Sequence, residues 1–289
     1  MTTTPTGSRQ ASRRRRVGRR RRAVSVLSGL AMAATAGFAG GWAARGVSDQ
    51  PSADVAVPTA AVASASPALG TKGCPKPRAI TSIKSNERVV ALTFDDGPSA
   101  EVTGQILRTL ADKKVKATFF MTGEHASAHP DLVAQIAAAG HAIGSHSWNH
   151  PRLDKLSPAQ VTDQVERATN AVSAAAGTRV CLARPPFGLT TPQVDALSAA
   201  MGLTTVGWTQ NPKDWLNPTP EQLRHDSAPW SDRPATILLL HEHGAEDPQQ
   251  VGPSATAAAL PGIIDDYLAQ GYRFVQVTGE PFGSGRPSL

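Results

Sequence analysis

Two acids stand side by side at the end of an apolar run in ALTFDDGPS, where Phe94 is followed by Asp95, Asp96 and Gly97. Two histidines, His146 and His150, stand four apart in SHSWNH, a spacing that lets both imidazoles face one way from a helical turn or tight loop and share a metal. A carboxylate from another strand end would complete a two-histidine, one-carboxylate site with open positions, and DDG offers one. Alone, histidines at this spacing fit plain surface polarity just as well. Three more segments carry polar groups: Arg184 in ARPPFG, Asp214 in NPKDW and His241 in LLLHEH. Each has a bland reading, as a surface ion-pair partner, a helix cap and a core histidine satisfied by backbone.

Something must hold these residues together. Short apolar runs predict strands over 89–94, 117–121, 142–145, 180–184, 204–208, 236–240 and 273–277. Between them lie helical patterns. EVTGQILRTLADK places Val102, Ile106, Leu107 and Leu110 on one face, and DLVAQIAAAG ends at Gly140. PAQVTDQVERATNAVSAAAG is opened by Ser157 as N-cap, and ALPGIIDDYLAQG ends at Gly271. Strands apolar on both faces and alternating with helices imply a parallel sheet covered by helices. About seven such units predict an α/β fold, an irregular and incomplete (β/α)7 barrel, with an open doubly wound sheet as the alternative. Either fold gathers chemistry at the carboxyl ends of its strands, which is where DDG, SHSWNH, RPPFG and LLLHEH fall, with NPKDW shortly after.

The chain has 289 residues, 40% of them apolar, and a formal charge of +6. Ten of its 29 basic residues precede Asp49, the first acid, leaving 19 basic against 23 acidic in the remainder. The basicity therefore belongs to the N-terminus, and no nucleic-acid partner is expected for the body. RRRRVGRRRR followed by the apolar stretch 23–44 reads as an export signal, twin-arginine or other, or a membrane anchor within residues 1–45. Residues 46–86 form an Ala/Ser/Pro-rich linker and lead-in, 87–280 the folded domain and 281–289 a tail. The body is then secreted or tethered outside the cytoplasm, touching a membrane only through its N-terminal segment. There an even pair of cysteines, Cys74 and Cys181, is more often bridged than reduced.

TFDDG, HSWNH, RPPFG, DW and LLH, in this order, resemble the five motifs of the polysaccharide deacetylases, the NodB-homology domain of carbohydrate esterase family four. The likeness spans residues 87–280. It implies a distorted (β/α) barrel that binds a divalent metal, usually zinc, and removes acetyl groups from an extracellular or cell-wall polysaccharide. N-acetylglucosamine in peptidoglycan or chitin comes ahead of acetylxylan as the substrate.

By resemblance, Asp96, His146 and His150 bind the metal, and Asp95 is the general base, paired with and aimed by Arg184. His241 is the general acid, oriented by Asp214, which raises its pKa. Leu239 and Trp215 line an acetyl pocket, and the backbone N–H of Phe187 donates to the developing oxyanion. The chain departs from the family at three positions. Phe187 stands where tyrosine is usual, Asn211 where the fourth motif commonly has aspartate, and Glu242 where an aspartate follows the histidine, with His243 after it. Phe187 and Asn211 motivate a second possibility, a glycan-binding protein on the same scaffold without catalysis. His125, His129, His141 and His225 are expected to be structural or superficial, and Trp208 and Trp230 to serve packing.

Overall fold

The computed structural model describes residues 73–242 and 254–279, together with Met1. The chain divides into units Met1–Ala61 and Val62–Leu289, and every described residue but Met1 belongs to the second. The arginine cluster, the apolar stretch, most of the linker, His243 and the tail lie outside the described residues.

In chain order the elements are β1 (Ala79–Ile80), β2 (Val89–Asp95), α1 (Thr103–Asp112), β3 (Thr118–Met121), α2 (Gly123–Ala128), α3 (Pro130–Ala138) and β4 (Ala142–Ser145). Then come α4 (Pro158–Ala176), β5 (Leu182–Ala183), α5 (Pro192–Ala200), β6 (Thr204–Val206), α6 (Pro220–Asp226), β7 (Ala235–His241), α7 (Ala255–Ala269) and β8 (Arg273–Phe274). All strand pairs are parallel, in the order β1-β6-β5-β4-β3-β2-β7, with β8 on the lower end of β2. Beyond β6, Gln210 bridges to Leu238 of β7, so the ring closes through an isolated bridge. This is the irregular, incomplete barrel expected from the sequence, with one strand more: β1.

Period-two alternation sorts the strand residues between two cores. Val90, Leu92 and Phe94 of β2 pack outward with Ile106 and Leu110 of α1, Ile136 of α3 and Ile263 of α7. Val89 and Ala91 point inward with Phe120, Leu182, Val206 and Ile237. Each valine, leucine, isoleucine or phenylalanine among them, fully buried, contributes roughly 1.5–3 kcal/mol. The inward row of β2 continues through Thr93 to Asp95, and that of β7 runs Ile237, Leu239, His241, with Asp95 and His241 opposite each other in register. The site therefore sits where the inner core gives way to polar groups.

Local signals set the helix ends. Ser157 caps α4 with Gln160 in a reciprocal capping box, and Gly177 closes it in a left-handed conformation, φ 64°. Thr122, Thr191 and Thr219 cap α2, α5 and α6. The lead-in is part of the packed unit: Ile83 is in the inner core, β1 pairs with β6, and Cys74 is bridged to Cys181. The bridge spans 107 positions, and closing such a loop removes roughly 4–5 kcal/mol of unfolded-state entropy in the chain-entropy model.

His141 is 8% exposed, its Nδ1 accepts from the Ala117 N–H, and its ring packs on Phe119. Burial, aided by the charge of Lys116, lowers its pKa to about 4. The folded protein thus holds this histidine neutral. Its stabilisation is complete above the unfolded pKa near 6.5 and is lost as pH falls through about 4, an expected loss of about 3 kcal/mol. Urea unfolding at pH 7 and pH 4 should show this loss in the wild type and a smaller one in His141→Gln.

Candidate active site

Asp95 ends β2 with its side chain turned into the barrel. Its Oδ1 accepts from Arg184 Nη1 at 2.6 Å, and its Oδ2 lies 3.6 Å from His146 Nε2. Asp96 leaves the strand through a left-handed turn, φ 70°, which swings its carboxylate away from that of its neighbour. The Asp96 Oδ1 lies 3.4 Å from His146 Nε2 and 3.6 Å from His150 Nε2. The two carboxylates of DDG thus share His146 and otherwise face different partners, Arg184 for Asp95 and His150 for Asp96.

His146 and His150 project from the loop after β4, rather than from a helix. His146 Nδ1 donates to the Arg184 carbonyl at 2.6 Å, which fixes the tautomer and leaves Nε2 with its lone pair toward Asp96. Burial lowers the His146 pKa despite the nearby charges of Asp95 and Asp96, so the ring is neutral. His150 also has a left-handed backbone, φ 59°, its N–H donates to Ser147 Oγ, and its ring sits 4.5 Å from that of Phe187. One ligand atom each from Asp96, His146 and His150 lie within 4.8 Å of one another.

Donor chemistry fits a divalent cation here. Asp96 Oδ1 is buried with no hydrogen-bond donor among the described residues, and desolvation raises the Asp96 pKa. A cation held by this oxygen and two imidazole nitrogens would offset both penalties.

Arg184 is 1% exposed, with its donors used: Nη1 to Asp95 and Thr93 Oγ1, Nε to the Val206 carbonyl and Nη2 to the Gly207 carbonyl. Its guanidinium lies 4.1 Å over the Phe120 ring. Burial lowers its pKa, opposed by Asp95. It is an interior ion-pair partner of Asp95, and the surface reading falls away.

Across the mouth, His241 Nδ1 donates to Asp214 Oδ1 at 2.7 Å, while the His241 backbone N–H and Thr256 Oγ1 donate to Asp214 Oδ2. Burial by itself would lower the pKa of His241. The hydrogen bond and charge of Asp214, reinforced by Asp95 and Asp96, outweigh it and push the value up to about 9. Trp215 meets the ring edge-on at 5.1 Å, and Leu239 lies two residues back on the same inner face of β7. Asn211 Oδ1 accepts from the Lys213 N–H, steadying the loop that carries Asp214.

Phe187 is 55% exposed and has φ 60°, in the short turn Pro186–Gly188. A bulky residue in that region costs on the order of 1–3 kcal/mol, and one this exposed recovers little by burial.

The structure adds two residues that sequence reasoning set aside. Glu242 is 1% exposed: Thr103 Oγ1 donates to its Oε1, and its Oε2 lies 1.5 Å from where a Cβ on Gly97 would be, so a side chain at position 97 would force the Glu242 carboxylate to move. Desolvation raises the Glu242 pKa to about 8. His125, expected to be structural or superficial, has its Nδ1 2.6 Å from the Asp96 carbonyl oxygen. His129 flanks α2 and α3, His225 is an exposed partner of Asp226, and Trp208 and Trp230 pack against Arg184 and Arg233.

The family model described as polysaccharide deacetylase matches residues 82–206. The chain is 37% identical over 159 residues to a chitooligosaccharide deacetylase of Bradyrhizobium sp., covering 55% of this chain and 72% of that protein. It is 34% identical over 198 residues to the peptidoglycan-N-acetylglucosamine deacetylase PgdA of Listeria monocytogenes, covering 68% of this chain but only 40% of that longer protein. Among solved structures, the family 4 carbohydrate esterase from Streptomyces lividans in complex with acetate superposes with a TM-score of 0.59 at 30% identity, covering 66% of this chain and 93% of that one. With the motifs, the barrel and these relatives in agreement, the chain belongs to the polysaccharide deacetylase family.

Proposed function

We propose that the protein is a metal-dependent hydrolase that removes acetyl groups from N-acetylglucosamine residues of a cell-wall or extracellular glycan, peptidoglycan or chitin. One observation carries the proposal: a two-histidine, one-aspartate cluster lies beside a buried carboxylate, Asp95, whose neighbour in register on the next strand is the Asp214-supported imidazole of His241. Two imidazoles and a carboxylate with open positions suit zinc. A metal held by Asp96, His146 and His150 supplies Lewis acidity, making water acidic enough to ionise near pH 7 and polarising a carbonyl.

The chain's own groups do the rest. Asp95, with one oxygen tied to Arg184 and the other facing the ligand cluster, takes the proton of the attacking water. The Phe187 N–H donates to the oxygen that gains charge as the C–O bond forms. His241 gives its Nε2 proton to the leaving nitrogen as the C–N bond breaks, and acetate and a free amine result. Leu239 and Trp215 bound the space for the acetyl methyl.

His241 has to be protonated to act as the acid, so turnover falls as pH rises through its pKa. That value is about 9 without a cation, and one at Asp96 would offset part of the carboxylate contribution and lower it. Asp214→Asn removes the largest raising influence. The alkaline limb of kcat should move down by a pH unit or more, and an unmoved limb would assign Asp214 to positioning alone.

We also assign 87–280, together with the packed lead-in from Cys74, to the catalytic domain, and the N-terminal basic and apolar segments to export or tethering. The Cys74–Cys181 bridge supports a location outside the cytoplasm. Among the described residues no helix is long and apolar enough to cross a membrane. Acetate release from chitin oligomers, peptidoglycan and acetylxylan tests the substrate. Release from the first two supports the proposal, release from acetylxylan alone reassigns the substrate, and saccharide binding without release leaves a glycan-binding protein.

A further inference from the structure

The two ligand loops are joined by a segment that itself supplies no ligand. At the N-cap and first turn of α2, the Thr122 N–H donates to the Gly97 carbonyl at 3.1 Å, and the N–H groups of Gly123 and Glu124 donate to the Ser147 and Trp148 carbonyls at 3.0 Å each. His125 completes the set through its side chain, 2.6 Å from the Asp96 carbonyl. That oxygen can only accept, so Nδ1 carries the proton. Gly123 permits the close approach: a Cβ there would meet the Trp148 ring at 2.5 Å and the Ala168 backbone at 2.8 Å.

What this segment holds is strained. Asp96 and Ser147 are both left-handed, with φ 70° and 65°, and neither is glycine. For Asp96 the left-handed turn directs the carboxylate at the two imidazoles, and it also turns the Asp96 carbonyl toward His125. Three of the four hydrogen bonds come from the main chain, leaving the His125 bond as the one made by a side chain.

We propose that His125 is a positioning residue for the metal site: its Nδ1–H bond to the Asp96 carbonyl holds the left-handed backbone that aims the Asp96 carboxylate at His146 and His150. This rests on the reading of that cluster as a metal site. No ligand is lost in His125→Ala, so an effect on the metal would have to reach it through Asp96, by position or by field, and not through a missing ligand. Outer groups of this kind typically change metal affinity 10- to 100-fold.

The test is the affinity of the purified full chain for zinc alone, by competition with a chromophoric chelator, in wild type, His125→Ala and His125→Asn. The amide nitrogen of asparagine can reach roughly where Nδ1 does. His125→Ala should bind zinc roughly 10- to 100-fold more weakly, and His125→Asn should recover most of the loss. Thermal unfolding of the metal-free proteins should change little between the variants. Wild-type affinity in His125→Ala overturns the proposal, and so does a loss in both variants that tracks their stability. A wild-type protein that binds no zinc fails at the metal reading itself, and the positioning role falls with it.

Discussion

Asp95→Asn is expected to keep the metal and lose turnover, with acetate release falling at least 10²- to 10⁴-fold, the usual contribution of a general base. The three ligand side chains are untouched, so metal content should match the wild type. The variant should also be less stable. Arg184, almost fully buried, would lose the charge that its Nη1 meets at 2.6 Å, and leaving such a partner uncompensated costs up to about 3–5 kcal/mol. The asparagine oxygen can still accept from Nη1, which places the loss at the lower end of that range. Acetate assays should therefore be run well below the lowered thermal midpoint, with metal content measured on the same sample. Folded, metal-loaded Asp95→Asn that still turns over at the wild-type rate would reduce Asp95 to a structural counter-ion of Arg184.

Asp96→Asn should behave in the opposite way. It removes the carboxylate that closes the ligand set, so metal content and turnover should fall together, by at least 10²-fold in activity. Stripped of metal, however, this variant should be no less stable than stripped wild type. Burial disfavours the Asp96 charge, its Oδ1 lacks a hydrogen-bond donor among the described residues, and asparagine is at home in a left-handed conformation. Only the wild type should gain stability on adding metal, by the mass action of a ligand that binds the native state. Calorimetric unfolding with and without metal checks this. A stripped Asp96→Asn that unfolds several degrees earlier would show that the carboxylate stabilises the turn directly.

The same pair shows how far the sequence could be read. DDG, HSWNH, RPPFG, DW and LLH each fall at or just past a strand end, and period-two alternation along β2 and β7 turns Asp95 and His241 inward. Apolar runs marked the seven strands β2 to β8, although β5 and β8 are shorter than the runs at 180–184 and 273–277. β1 was not marked: it is two residues long, and one of them, Ala79, is exposed. α2 was missed because its six residues, GEHASA, carry no apolar period, although Thr122 before it is a capping signal. Missing α2 hid His125, whose partner is a main-chain carbonyl and leaves no pattern in the sequence. Glu242 was visible only as an exchanged acid; its burial against Gly97 depends on the β2–β7 register. Outside the motif pattern Arg184 reads as a surface cation, because an isolated arginine usually is one; only the resemblance paired it with Asp95. Four hydrogen bonds from one guanidinium inside a barrel are a tertiary fact.

The central claim is that Asp96, His146 and His150 hold a divalent metal on which deacetylation depends. The most direct measurement is acetate release from a chitin oligomer by one preparation as purified, after chelator and dialysis, and after reloading with zinc, with metal content determined at each stage. The account predicts release that disappears with the metal and returns with it. Release at an undiminished rate from metal-free protein would contradict it.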